Sequence, residues 1–176
     1  KNILKKMGIP AEGTTVAIQG MGNVGSITAK LLHREGMKII AVSDVSGGIY
    51  RPEGLNVPAI LDYLSLNRKN LLKDYTEEGM SRITNEELLE MDARVLVPAA
   101  LENQINASNA HKIRAEIIVE AANGPVAADA DEILRDRGIT VVPDILANAG
   151  GVVVSYFEWV QNIQSVSWTE EEVNEK

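Results

Sequence analysis

Three glycines, Gly20, Gly22 and Gly25 in the stretch VAIQGMGNVGSITAKLL, have the spacing with which a strand-to-helix turn can cradle a phosphate. The first glycine would allow the tight turn. The second would let a pyrophosphate approach the backbone, and the third would let the helix pack closely on the strand. The free N–H groups and positive dipole end of the following helix add an anion site. Asp44 lies 19 residues beyond Gly25, at the end of the next apolar run. A carboxylate there can accept both ribose hydroxyls of an adenosine. Asn23, inside the turn, has two readings that both stay open: its amide could reach a phosphate or cap the helix.

These residues need a strand before them and a helix after them, and the sequence supplies both. Val16 to Gln19 reads as a buried strand. Val24, Ile27, Thr28, Leu31 and Leu32 fall on one helical face, with Gly36 as the stop. Lys38 to Asp44 is the second strand, which completes the first unit of a parallel sheet. Gly47 and Gly48 turn the chain, and Val57 to Leu64 is a short amphipathic helix with Pro58 in its first turn. The segment 67–80 is charged and ambiguous. Thr84 and Glu87 form a capping box before a short helix.

RVLVPAA, EIIVEAA and TVVPD read as three further strands, NASNAHKI as a short helix, and Asp129 to Arg137 as a helix stopped by Gly138. Val152, Ser155, Tyr156, Trp159, Val160 and Ile163 repeat at helical spacing after Gly150 and Gly151. Thr169 with Glu172 is a second capping box. Alternation of strands and helices predicts an α/β fold: a Rossmann-type open, mostly parallel sheet with helices on both faces.

With 176 residues, of which 45% are hydrophobic, the chain suits a single dinucleotide-binding domain over 1–176. The segments 1–12 and 164–176 read as linkers or helices leading towards a domain outside the sequence. A net charge of −8 argues against a nucleic-acid partner. The absence of cysteine excludes thiolate chemistry, and the isolated His33 and His111 give no metal-ligand spacing. No apolar run is long enough to span a membrane, and a cytoplasmic location is expected.

The segments GMGNVG, SDVSGGIY, PAALENQI, EAANGP and DILANAGGVVVSYFEWVQN together resemble the cofactor domain of glutamate dehydrogenase. That enzyme belongs to the glutamate, leucine, phenylalanine and valine dehydrogenase superfamily. The resemblance implies cofactor contacts from Gly20, Gly22, Asn23, Val24, Gly25 and Asp44. It implies that Ala99 and Ala100 lie against the nicotinamide-side ribose, and that Asn123 and Asn148 approach the nicotinamide end. Val152 and Ser155 would face the substrate, with the Ser155 hydroxyl on the side-chain carboxylate of glutamate. From the residues alone, Ser155 could equally bond back to a carbonyl one turn earlier.

The implied cofactor is NAD. NADP stays open because Ser43 is small and Arg51 is near in sequence. The implied reaction is oxidative deamination of L-glutamate to 2-oxoglutarate and ammonia in a homo-hexamer. The lysine and aspartate that the family uses for catalysis belong to an amino-terminal domain, and no GGGKGG-like run occurs here. No catalytic or metal-binding residue is therefore expected in this chain, and alone it is expected to be inactive. The alternatives are another Rossmann dehydrogenase domain and a non-catalytic dinucleotide-sensing module.

Overall fold

The apolar runs assemble into one sheet in the computed structural model, which describes residues 2–176. Five parallel strands form its body: β1 (Thr15–Gln19), β2 (Lys38–Asp44), β5 (Val95–Pro98), β6 (Ile117–Val119) and β7 (Thr140–Val142). An antiparallel edge is added by β3 (Gly47–Tyr50) and β4 (Ser81–Ile83). The strand order is β4-β3-β2-β1-β5-β6-β7. The order reverses at β1, and such a switch point leaves a crevice at the carboxyl ends of the neighbouring strands.

Two layers of helices cover the sheet. On one face, α1 (Asn2–Lys6), α2 (Asn23–Arg34) and α3 (Val57–Leu66) pack through Leu4, Ala29, Val57 and Ile60 against Val16, Ile18 and Ile39. On the other, α4 (Asn85–Leu89) and α5 (Ala128–Asp136) pack through Leu88, Leu89, Ala130 and Leu134 against Ala17, Leu96 and Ile118. Both strand faces are thus buried, which explains why the central strands are continuous apolar runs. Three further helices close the chain: α6 (Asp144–Ala147), α7 (Ala149–Gln164) and α8 (Glu170–Glu175). No residue of α7 or α8 is buried.

The structure departs from the sequence reading in three places. Gly47 and Gly48 belong to β3 rather than to the turn. The turn falls at Val45 and Ser46, where the Asp44 carboxylate holds the Ser46 N–H and hydroxyl at 2.7 and 2.5 Å. NASNAHKI forms only a 3-10 turn at Ala110–Lys112. The buried residues of α2 are Gly25 and Ala29, while Val24, Ile27 and Leu31 are half exposed. Small side chains let the helix sit close to β1, and that proximity selects the small face over the larger apolar one.

Candidate functional site

Gly20 follows β1 with φ at +94°, a conformation that favours glycine. A Cβ on Gly20 would also lie 2.9 Å from the Ala99 carbonyl oxygen and 3.0 Å from Ala100. Two residues on, Gly22 is the N-cap of α2 in ordinary extended backbone, and a Cβ there would meet nothing beyond its chain neighbours. Gly25, in the first turn of α2, faces inward, and its missing Cβ would stand 1.7 Å from the Gly20 carbonyl oxygen. The first and third glycines are thus required by packing. The second opens into free space at the helix N-terminus, next to Asn23 and Val24. Both of these residues are exposed, and Asn23 makes no side-chain hydrogen bond to any described residue.

The turn borders a cleft of about 470 Å³ at the carboxyl edge of the sheet. Gly20, Met21 and Gly22 form its floor, Asp44 and Val45 one side, and Ala99, Ala100 and Leu101 the other. Val45, at the tip of the β2–β3 turn, is 91% exposed and forms an apolar rim. Asp44 receives three hydrogen bonds, from the Ser46 N–H and hydroxyl and from the Leu72 N–H at 2.7 Å. A carboxylate has roughly four acceptor positions, so one remains for a ligand. The Ser43 hydroxyl is fully buried and donates to Asn85 Oδ1 at 2.7 Å. Arg51 pairs with Glu77 at 3.3 Å on the far side of β3.

Gln19, Asn85, Glu86 and Gln104 also line this cleft and were not expected from the sequence. Gln19 is 2% exposed, and its amide donates to Gln104 Oε1 at 2.8 Å. Its Oε1 has no partner among the described residues. A buried amide at the end of an otherwise apolar strand is the one sequence signal that could have marked it.

Farther along the same edge, the loop after β6 and the α6–α7 junction after β7 bring Asn123 and Asn148 together, with Asn148 Nδ2 donating to Asn123 Oδ1 at 2.8 Å. Beneath them lies Glu120, 7% exposed. Burial holds its carboxyl above the usual carboxylate range, and the charges of Asp144 and Asp131 add to this. The hydrogen bonds from the Asp144 and Val126 amides pull the other way. Beyond Asn148, α7 carries Val152 and Ser155, both exposed on one face. The Ser155 hydroxyl makes no hydrogen bond to any described residue, so the back-bond to the preceding turn is not formed. Ser26 in α2 does form one, to the Gly22 carbonyl at 2.7 Å.

Among the described residues, no group of three His, Cys, Asp or Glu side chains could hold a metal ion. No described helix is long and apolar enough to cross a membrane.

A parallel sheet with a glycine turn at its switch point, flanked by an acid at the end of the second strand, defines a Rossmann-type domain. The chain belongs to the Glutamate/Leucine/Phenylalanine/Valine dehydrogenase family, whose model matches residues 1–176. It is 54% identical over 173 residues to a catabolic NAD-specific glutamate dehydrogenase of Bacillus subtilis, with 98% of this chain and 40% of that protein covered. It is 47% identical over 182 residues to an NADP-specific glutamate dehydrogenase of Synechocystis, with 100% of this chain and 42% of that protein covered. The hetero-hexameric glutamate dehydrogenase of Thermus thermophilus superposes with a TM-score of 0.88 at 35% identity, over 99% of this chain and 40% of that one. The chain thus spans about 40% of the length of these relatives.

Proposed function

We propose that this chain is the cofactor-binding part of a glutamate dehydrogenase, a cytoplasmic homo-hexamer that converts L-glutamate to 2-oxoglutarate and ammonia. Segments 1–12 and 164–176 would lead towards its other domain. The observation that carries the reading is the division of labour in the glycine turn. Gly20 and Gly25 are held by contacts within the fold, whereas the space beside Gly22 is free and faces the N–H groups of α2. That is the arrangement a pyrophosphate requires.

The residues fit a dinucleotide laid along the carboxyl edge of the sheet. Gly22, Asn23 and Val24 take the pyrophosphate. Asp44 takes an adenosine ribose hydroxyl with its remaining acceptor position. Ala99 and Ala100, without long side chains, leave room for the second ribose. Asn123 and Asn148 orient the nicotinamide end, and Val152 and Ser155 face the amino acid. NAD supplies the hydride acceptor. This chain's contribution is to hold that acceptor against the substrate and to keep water out as the domains close. The lysine and aspartate that move protons would come from the other domain. A hexameric assembly is supported by the Thermus thermophilus relative.

The test is an assay of the full-length enzyme with NAD and each of glutamate, leucine, phenylalanine and valine. Glutamate is expected to give the highest kcat/KM. A higher value for an apolar amino acid would assign the chain to another branch of the family. Binding of NAD without turnover of any of the four would favour a dinucleotide-sensing module.

A further inference from the structure

We infer that Glu120 is a positioning residue that locks together the two loops carrying Asn123 and Asn148. The inference rests on the cofactor-binding reading above, because it concerns the nicotinamide end of that site. The Glu120 carboxylate sits just beyond β6 and uses one oxygen for each loop. Oε1 accepts from the Val126 N–H at 3.2 Å, at the far end of the loop that contains Asn123. Oε2 accepts from the Asp144 N–H at 2.8 Å, at the start of α6, whose C-cap is Asn148.

The brace is returned from the other side. Asp144 Oδ2 accepts from the Gly124 N–H at 2.8 Å, and Asn148 donates to Asn123 at 2.8 Å. Three ties therefore continue the connection beyond the end of the β6–β7 ladder, whose last backbone bond runs from the Glu120 N–H to the Val142 carbonyl at 3.1 Å. A buried carboxylate is a costly way to satisfy two N–H groups if the fold alone is at stake. Its geometry offers what an amide cannot, two acceptors pointing at two separate donors. In Glu120→Gln the amide nitrogen would face one of those N–H groups, and one loop would be released.

The effect belongs to the nicotinamide end. The Gly20–Gly25 turn, Asp44 and the 470 Å³ cleft lie over β1, β2 and β5, and Glu120 touches none of them. The experiment compares wild-type and Glu120→Gln full-length enzyme in three measurements: kcat with glutamate, Kd for NAD, and Kd for ADP-ribose, which lacks the nicotinamide. We expect kcat to fall about 10- to 100-fold, as for a reacting group displaced by about an ångström. ADP-ribose affinity should stay within about twofold, because that half of the site is untouched.

A parallel loss of kcat and ADP-ribose affinity would mean a general structural role and overturn the inference, as would an unchanged kcat. If Glu120→Gln does not fold, Glu120→Asp keeps two acceptors on a side chain one methylene too short to reach both amides, and the same outcomes decide. Failure of the wild-type enzyme to bind either NAD or ADP-ribose would instead overturn the cofactor-binding reading itself.

Discussion

Gly25 lies against the carbonyl oxygen of Gly20, so that a Cβ on Gly25 would stand 1.7 Å from it. The obstacle is backbone rather than the tip of a flexible side chain, so α2 can accept a side chain there only by lifting off β1. Gly25→Ala is expected to destabilise the fold by about 1–3 kcal/mol, the usual cost of overpacking. It should also misplace the N–H groups of α2. Thermal unfolding of the variant checks the first effect, and a parallel NAD titration checks the second. An unchanged Tm would mean that the close approach is not needed.

Gly22 separates binding from folding. Its φ of −75° suits any residue, and no atom beyond its chain neighbours lies within 4 Å of where its Cβ would be. Gly22→Val should therefore change stability by no more than about 1 kcal/mol, the scale of an N-cap effect. The new side chain would occupy the pyrophosphate position. NAD affinity should fall at least about tenfold, or 1.4 kcal/mol. Calorimetry that found equal affinity would remove the cofactor role from the turn.

How much of this was readable in advance depends on the range of the determining contacts. Lys38 to Asp44 was legible as β2 because a run buried on both faces is continuous and apolar. The boxes at Thr84 with Glu87 and Thr169 with Glu172 were legible because each is closed within one helical turn. The hairpin at Val45 and Ser46 was not, since its shape depends on Asp44, which is itself held by Leu72, 28 residues away. The exposed strand β4 has no apolar alternation to announce it. The inward face of α2 is hidden from periodicity, which weighs Val24, Ile27 and Leu31 above the buried Gly25 and Ala29. In the site, the glycines and Asp44 follow a known spacing, while Glu120 and Gln19 acquire meaning only from loops that the fold brings to them.

NAD is expected to bind more tightly than NADP. A 2′-phosphate at the end of β2 would add about −1.5 to −2 charges beside Asp44. The two groups that sequence proximity offered to such a phosphate are engaged elsewhere, Ser43 with Asn85 and Arg51 with Glu77. Like charges brought together cost several kcal/mol, a cost that Lys73, whose N–H reaches Ser46 Oγ at 3.1 Å, stands near enough in the fold to offset in part. NAD should therefore bind at least about tenfold more tightly, and equal Kd values in paired titrations would refute this.

The raised pKa of Glu120 also makes a statement about stability. Above the ordinary glutamate range and up to its raised value, the folded chain keeps a proton that the unfolded chain releases. The cost of burying its charge is therefore absent at low pH and is incurred as pH rises through that window, so stability falls there. Asp144 and Asp131, the acids facing it, push in the same direction. Glu120→Gln cannot titrate, so the Tm difference between wild type and variant should move against the wild type as pH rises. Groups without an electrostatic interaction with Glu120 titrate alike in both proteins and cancel from this difference. A difference independent of pH would show that Glu120 titrates normally.

Ser155 offers the most direct test of the substrate. Its hydroxyl is exposed on α7, three residues after Val152, and makes no bond within the helix. A hydroxyl that was not used for back-bonding is available to a ligand. Under the proposed function, glutamate would bring a second carboxylate that must shed water in the closed site, and a hydrogen bond to a charged group contributes about 1.5–3 kcal/mol. In the full-length enzyme, Ser155→Ala should lower kcat/KM for glutamate roughly 10- to 100-fold. For norvaline, which has no side-chain carboxylate, the loss should be much smaller, so the preference for glutamate narrows. An equal loss on both substrates would make the hydroxyl structural. No loss on either would turn this face of α7 away from the amino acid and leave glutamate specificity to residues outside this chain.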